Sequence, residues 1–380
     1  MSAFITASSS FMPNSPIHNN EIEDVLGLIN EKPSRVKNII LRNNGIKIRH
    51  YAIDPKTKEP NFNNAQLTAE AIRGLFDNEK QLNEIDLIAT GTTMPDQLAP
   101  SHSVMVHGEL KNNPCETVSM SGICLSGLMA LKYCFLAVKN NDSKKAVASG
   151  SEIVSALLHA KFFNDNTLLS SNQLKTNPEL AFDKDFLRWM LSDGAGALCI
   201  EPKPKENSIN LEINWIKTYS YANELETCMY LGAKKLNNSE LSGWLNYNSK
   251  ELSDKNIFAL TQDVKLLNNN IINYAIEKTL DRIIIDTGIK ATDIDYFLPH
   301  ASSMFFIPKI KKALDDKDFC IPMDKWFTNL ETKGNTGSAS IFIMLDEFIK
   351  TKDLRRGDKI LCFVPESGRF SSGFMLLTAS

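Results

Sequence analysis

The feature that most constrains this chain is a repeat of order rather than of identity. Strand-like and helix-like patches alternate along most of it, and the alternation runs through twice. In the first run residues 4–9 read as a strand, 21–30 and 65–76 as helices, 85–90 as a buried strand and 101–110 as a helix. Residues 116–120 and 124–139 follow as strand and helix, and 145–149 and 195–200 close the run as strands. The second run opens on Ile294-Asp295-Tyr296-Phe297-Leu298, which matches the Ile-Asp start of Ile85-Asp86-Leu87-Ile88-Ala89. Helices then read at 302–314 and 338–350, and strands at 359–364 and 374–378. Alternating strands and helices must stack as layers, because every sheet face and helix stripe needs an apolar partner. The expectation is an α/β fold made of two duplicated halves, residues 1–205 and 206–380. Two stretches, 155–190 and 219–255, have no counterpart in the other half. The second, with its Asn and Ser clusters, reads as long surface loops.

Composition removes several function classes. Lys and Arg total 42 against 45 Asp and Glu, a net charge of −3, which argues against nucleic acid as the main partner. No apolar run approaches the roughly 18 residues a bilayer span needs, and the N-terminus lacks the basic start and apolar stretch of a secretion signal. Seven cysteines without CxxC or CxxH spacing fit a reduced compartment, so the chain is expected to be soluble and cytoplasmic. No HExxH is present, and His102 and His107 are too poorly spaced for a metal. No metal or cofactor is expected.

Three residues stand at junctions where chemistry gathers. Cys124, in Ser121-Gly122-Ile123-Cys124-Leu125-Ser126-Gly127, follows a strand and opens a strongly apolar helix. A helix N-terminus offers free N–H groups and partial positive charge, so a thiolate there is stabilised and can act as a nucleophile at neutral pH. A buried structural cysteine is the competing reading. His300 ends the strand Tyr296-Phe297-Leu298-Pro299-His300, at the strand end where catalytic groups collect in α/β sheets; a structural histidine is the alternative. Asn335 precedes an apolar helix in Gly334-Asn335-Thr336-Gly337-Ser338. Helix capping would explain it, yet in the duplicated frame its junction is the counterpart of the one at Cys124.

Taken in order, five pieces resemble the ketoacyl-synthase-III branch of the thiolase superfamily. They are Gly45-Ile46-Lys47-Ile48-Arg49-His50, the Cys124 segment, Ser192-Asp193-Gly194-Ala195-Gly196-Ala197, Pro299-His300-Ala301-Ser302 and the Asn335 segment. The resemblance implies a five-layered αβαβα fold, a homodimer and a Cys–His–Asn site with Cys124 as acyl acceptor. His300 and Asn335 would then drive decarboxylation and stabilise the enolate of a second substrate. It also implies an oxyanion hole from the N–H of Cys124 and a second donor in the turn Glu366-Ser367-Gly368, at Ser367 or Gly368. The segment 33–42 lacks the aromatic residue that stacks on coenzyme A in the housekeeping enzymes, which favours an acyl carrier protein as donor. Lys309, Lys311 and Lys312, close together after His300, would form its basic landing site, or else a plain solvated face. The stretch Leu41-Arg42-Asn43-Asn44-Gly45-Ile46-Lys47-Ile48-Arg49-His50-Tyr51 looks most like the ketosynthase–cyclases of dialkylresorcinol and bacterial stilbene pathways. That likeness implies an acyltransferase that joins a β-ketoacyl and a second acyl chain into a cyclohexane-1,3-dione, with 155–190 and 219–255 as pocket wall and lid. An acyltransferase acting on oxygen, or a non-catalytic partner subunit of the same fold, are the rival classes.

Overall fold

The computed structural model describes residues 1–161 and 187–380. Among these, nine strands form one continuous sheet: β1 (Phe4–Phe11), β2 (Leu87–Thr92), β3 (Glu116–Ser121), β4 (Ala146–Glu152), β5 (Gly194–Glu201), β6 (Leu211–Ser220), β7 (Tyr296–Pro299), β8 (Lys359–Glu366) and β9 (Ser371–Ala379). Their spatial order is β7-β8-β9-β6-β1-β5-β4-β2-β3. The first five strands lie as β3-β2-β4-β5-β1 and the last four as β7-β8-β9-β6, joined where Phe4 faces Glu212 and Ile5 faces Leu211. Each run has parallel pairing at its outer end (β2 with β3 and β4; β7 with β8) and antiparallel pairing toward the junction. The second run lacks a full partner for β3. In its place stands a single parallel bridge between Phe297 and Trp326, whose rings meet edge-on at 4.7 Å.

The helices complete the layers. Helix α1 (Lys37–Asn44) lies near the N-terminus, and α2 (Asn64–Arg73) and α3 (His102–Leu110) cover the outer face of the first run. Helix α4 (Leu125–Lys139) is apolar nearly all round, as a helix between two sheet faces must be. It shares one large core with β2, β4, β8, β9 and the later helix α8 (Ser340–Thr351). On the other outer face, α5 (Val264–Ile272), α6 (Thr279–Thr287) and the amphipathic α7 (Ile307–Asp315) bury Leu267, Ile283 and Ile310 against β8 and β9. The result is the five-layered αβαβα thiolase-type fold.

The starts of α4 and α8 approach so closely that only glycine fits. A Cβ on Gly127 would lie 2.2 Å from the Ser338 carbonyl oxygen, and one on Gly150 would lie 2.3 Å from the same atom. Ser338 Oγ in turn donates to the carbonyls of Gly91 and Ser151. One serine therefore holds the α8 junction against the floor made by β2, β4 and α4.

Several elements depart from the sequence reading. The helix expected at 21–30 is a five-residue helix, Ile22–Leu26, then a 3-10 turn, because Gly27 at φ 79° breaks it. Residues 219–255 are not plain loops: they hold short strands at Met229–Tyr230, Ala233–Lys235 and Leu241–Gly243 and a helix at Ser249–Asp254. Their amides tie them to the turn after β8, with Tyr221 N–H on the Phe370 carbonyl and Cys228 and Met229 N–H on that of Gly368. Of the other stretch, 155–190, residues 162–186 lie outside the described residues.

Candidate active site

Cys124 stands at the N-cap of α4 with helical backbone angles, φ −59° and ψ −32°. It is buried and lines a cavity whose walls are largely apolar, with Leu267, Ile271, Ile276, Phe306 and Ile310 among them. His300 lines the same cavity, as does Ser367. The histidine is placed by β7, whose ladder it prolongs by donating its N–H to the Phe363 carbonyl at 2.8 Å. It also borders a second cavity, lined by Gly334 and Thr336 on either side of Asn335. Asn335 is buried, and its Oδ1 accepts the Gly337 N–H at 3.1 Å, which fixes the orientation of the amide. The Asn335 side chain thus makes a local capping bond, and it is its neighbours Gly334 and Thr336 that line the cavity His300 borders.

The Asn335 loop is held by the other sequence motifs. Asn335 N–H donates to the Met190 carbonyl, and Ser192 N–H donates to the Asn335 carbonyl. Ser192 Oγ accepts from His50 N–H, and Asp193 N–H returns to the His50 carbonyl. The Asp193 carboxylate takes the amides of Ala52, Val154 and Ser155. Buried Arg49 donates to the Trp189 carbonyl and to Asn19. The motifs at 45–50, 192–197 and 334–338, far apart in the chain, are one knot around Asn335.

Electrostatics correct one sequence expectation. A bare helix N-terminus would favour the thiolate. Here burial, and then the Glu366 and Glu152 carboxylates, push the Cys124 thiol well above the ordinary thiol range, so it rests as a neutral thiol. Burial alone drops His300 to about 4, so its imidazole is neutral at pH 7. Glu152, at the end of β4, is pushed up to about 7 by burial despite bonds from Thr93 and Ser338. Its Oε2 has no partner among the described residues.

Residues 284–376 match the family model described as 3-oxoacyl-[acyl-carrier-protein] synthase III, C terminal. The chain is 24% identical over 381 residues to the beta-ketoacyl-[acyl-carrier-protein] synthase III of Neisseria gonorrhoeae, covering 99% of this chain and 98% of that one. Over nearly its whole length the chain is thus similar to ketoacyl-synthase-III enzymes, and residues 284–376 match their C-terminal part. It is an acyltransferase of the condensing kind. Among solved structures the fold is shared with Xanthomonas campestris OleA, solved with lauric acid and lauroyl-CoA (TM-score 0.74, 17% identity, 100% and 99% of the two chains). It is shared too with AbyA1, described as a tetronic acid condensing enzyme (TM-score 0.72, 18% identity, 99% of each chain).

The remaining residues singled out in this synthase-like chain fare differently. Gly368 lies in the turn after β8 with its carbonyl taken by Cys228 and Met229. The three lysines do not form one open patch. Lys311 and Lys312 pair with Asp315 and Asp316, four residues on along α7 and just past its end. Lys309 lies 4.0 Å over the ring of exposed Phe305. The spacing of the two Lys–Asp pairs was legible in the sequence. The nearness of Glu152 and Glu366 to Cys124 was not, since both come from distant strands. No helix among the described residues is long and apolar enough to cross a membrane.

Proposed function

We propose that this enzyme forms carbon–carbon bonds through an acyl group carried on Cys124, and that it closes the product into a cyclohexane-1,3-dione. The observation that carries the reading is the pairing of a helix-start cysteine and a neutral histidine on one apolar cavity. The Cys124 sulfur attacks an acyl thioester, the departing thiol takes a proton, and the acyl chain is left on sulfur. The N–H of Cys124 and a donor at Ser367 or Gly368 hold the oxyanion. A β-ketoacyl thioester then enters, and the His300 and Asn335 side chains donate to its thioester oxygen as its α-carbon becomes the nucleophile. That carbon bonds to the β-carbon of an α,β-unsaturated acyl group on Cys124, and the proton it gives up goes to the acyl group's α-carbon. The carbon beyond the keto group then attacks the Cys124 thioester carbonyl, the carbon–sulfur bond breaks, and the proton lost from that carbon returns to the Cys124 thiol as the six-membered ring closes. Closure depends on holding two chain ends together away from water, for which the apolar walls and the 219–255 segment are suited.

The donor in this reading is an acyl carrier protein in the cytoplasm, approaching near Lys309, the one of the three lysines not drawn into an i,i+4 pair. The enzyme works as a homodimer; the half-exposed edge strand β3, which leads straight into Cys124, is the edge a second copy would cover. The two halves of the reading are tested separately. Intact-protein and peptide mass spectrometry after incubation with acyl-carrier thioesters should give an adduct on Cys124 that Cys124→Ala abolishes. An adduct on Cys228 or Cys134 instead rejects the assignment. Product analysis with β-ketoacyl and enoyl carriers supplied together should yield a cyclic 1,3-dione. Linear keto acids alone would leave condensation standing and refute ring closure.

A further inference from the structure

The two amides that flank Cys124 share a single acceptor. The N–H of Ile123 and the N–H of Leu125 both donate to Oε2 of Glu366, at 3.0 and 3.1 Å. Glu366 is the last residue of β8, so this carboxylate reaches from the second run of strands to the helix start of the first. It fits between two glycines: a Cβ on Gly122 would sit 3.4 Å from Oε2, and one on Gly368 would sit 3.3 Å from Oε1. An anion at a helix start is favourable in itself, and capping of α4 would account for the contact. Its position does more than cap. It occupies the amide on each side of the cysteine, leaves the cysteine's own N–H outside the clamp, and sets beside the sulfur a carboxyl that burial pushes up and the two N–H bonds pull back toward the charged form.

We propose that Glu366 is a positioning residue for the nucleophile, clamping residues 123 and 125 so that the Cys124 N–H is presented to the substrate oxygen, while its charge keeps the sulfur a thiol between turnovers. The inference rests on Cys124 being the acyl acceptor. The titratable groups around the sulfur are Glu366 from β8, Glu152 from β4 and His300 after β7. His300 is neutral, and Glu366 outweighs Glu152 in its effect on the thiol. Such a device would hold a buried thiol unreactive toward stray electrophiles until an acyl donor enters the cavity.

One oxygen accepts both N–H groups, so charge and clamp can be separated. Glu366→Gln keeps an acceptor of the same shape and removes the charge; Glu366→Ala removes both. The readout is alkylation by iodoacetamide on the full chain across about pH 6 to 10, followed at Cys124 by peptide mass mapping. It needs no acyl substrate, so it stands whether or not the enzyme condenses or cyclises anything. In the Gln variant the Cys124 profile should move to lower pH by roughly one unit, which is about tenfold faster alkylation at fixed pH on the rising limb. Exposed Cys320 is the internal reference and should not move. The Ala variant should show the same displacement and lose at least about tenfold in acyl-adduct formation. A Gln profile at Cys124 superimposable on the wild type overturns the role of the charge, and a folded Ala variant that acylates at the wild-type rate overturns the clamp. Should the Ala variant fail to fold, the Gln profile decides.

Discussion

At Cys124 two influences of opposite sign meet: the α4 N-terminus favours the thiolate, while burial and two carboxylates favour the thiol. Burial and like charge dominate, because the helix effect is worth only about 1 kcal/mol, whereas full burial can move a titratable group by several pH units. With a neutral thiol at rest, the rate of acylation should climb about tenfold per pH unit between roughly pH 6 and 8, following the thiolate fraction. His300, neutral above about 4, should add no limb of its own in that range. A flat profile in single-turnover acylation would contradict this. The proposed division of labour gives a second expectation. His300→Ala and Asn335→Asp should spare acylation yet lower condensation by about a hundredfold or more, as loss of an oxyanion donor does. The Asp variant is the sharper probe, because its carboxylate can still accept the Gly337 N–H that Asn335 Oδ1 now takes. Condensation at the normal rate in either variant would remove the residue from the scheme.

Among elements, α4 shows how far local pattern reaches. Its apolar run and its start at the cysteine were legible, because a helix buried on all sides needs apolar residues on all sides. Strand β6 was not legible. Its inward residues Leu211, Ile213 and Ile216 lose the period of two at a register shift opposite Leu376 and Leu377, and the alternation that marks a strand breaks with them. The long helical stretch of α5 and α6 was hidden as well, by Asn268, Asn269, Asn270 and Asn273 and by a π-helical turn at Asn273–Lys278 between the two. The close crossing of α4 and α8 gives the prediction at this scale. Gly127→Ala gains about 1 kcal/mol of helix propensity, but its Cβ would meet the Ser338 carbonyl at 2.2 Å and the Phe342 ring at 2.9 Å. The clash with backbone wins, for a net loss of about 2 kcal/mol. Urea unfolding should show the lower midpoint, and acylation should fall with it because the cysteine sits one helical turn away.

Across the whole molecule, Glu152 at the end of β4 meets Ser338 in the turn that opens α8, a contact between segments 186 residues apart. Glu152 Oε1 accepts from Thr93 and from Ser338 N–H, while Oε2, unpartnered among the described residues, is the natural place for a proton. The folded value of about 7 lies above the ordinary carboxyl value of 4.5. Its contribution to stability is therefore complete below about pH 4.5 and is lost as pH rises through about 7. Asp193, raised to about 6 by burial, acts in the same direction. Urea midpoints should fall between about pH 5 and pH 8, with Glu152 accounting for about 2 kcal/mol. Glu152→Gln should flatten much of that decline; a variant with the wild-type slope would show that the group titrates normally.

What the sequence by itself determined is the layered α/β architecture, the placing of Cys124 and His300 at strand ends, and that of Asn335 before an apolar helix. All follow from periodicity and turn residues within a dozen positions of each other. Only the tertiary structure decided the charge state of the thiol and the knot that binds His50, Ser192 and Asn335. The physical reason is range. Backbone conformation is set largely by near neighbours, whereas the field and the dryness at one sulfur are summed over segments such as β4 and β8, which the fold alone brings together.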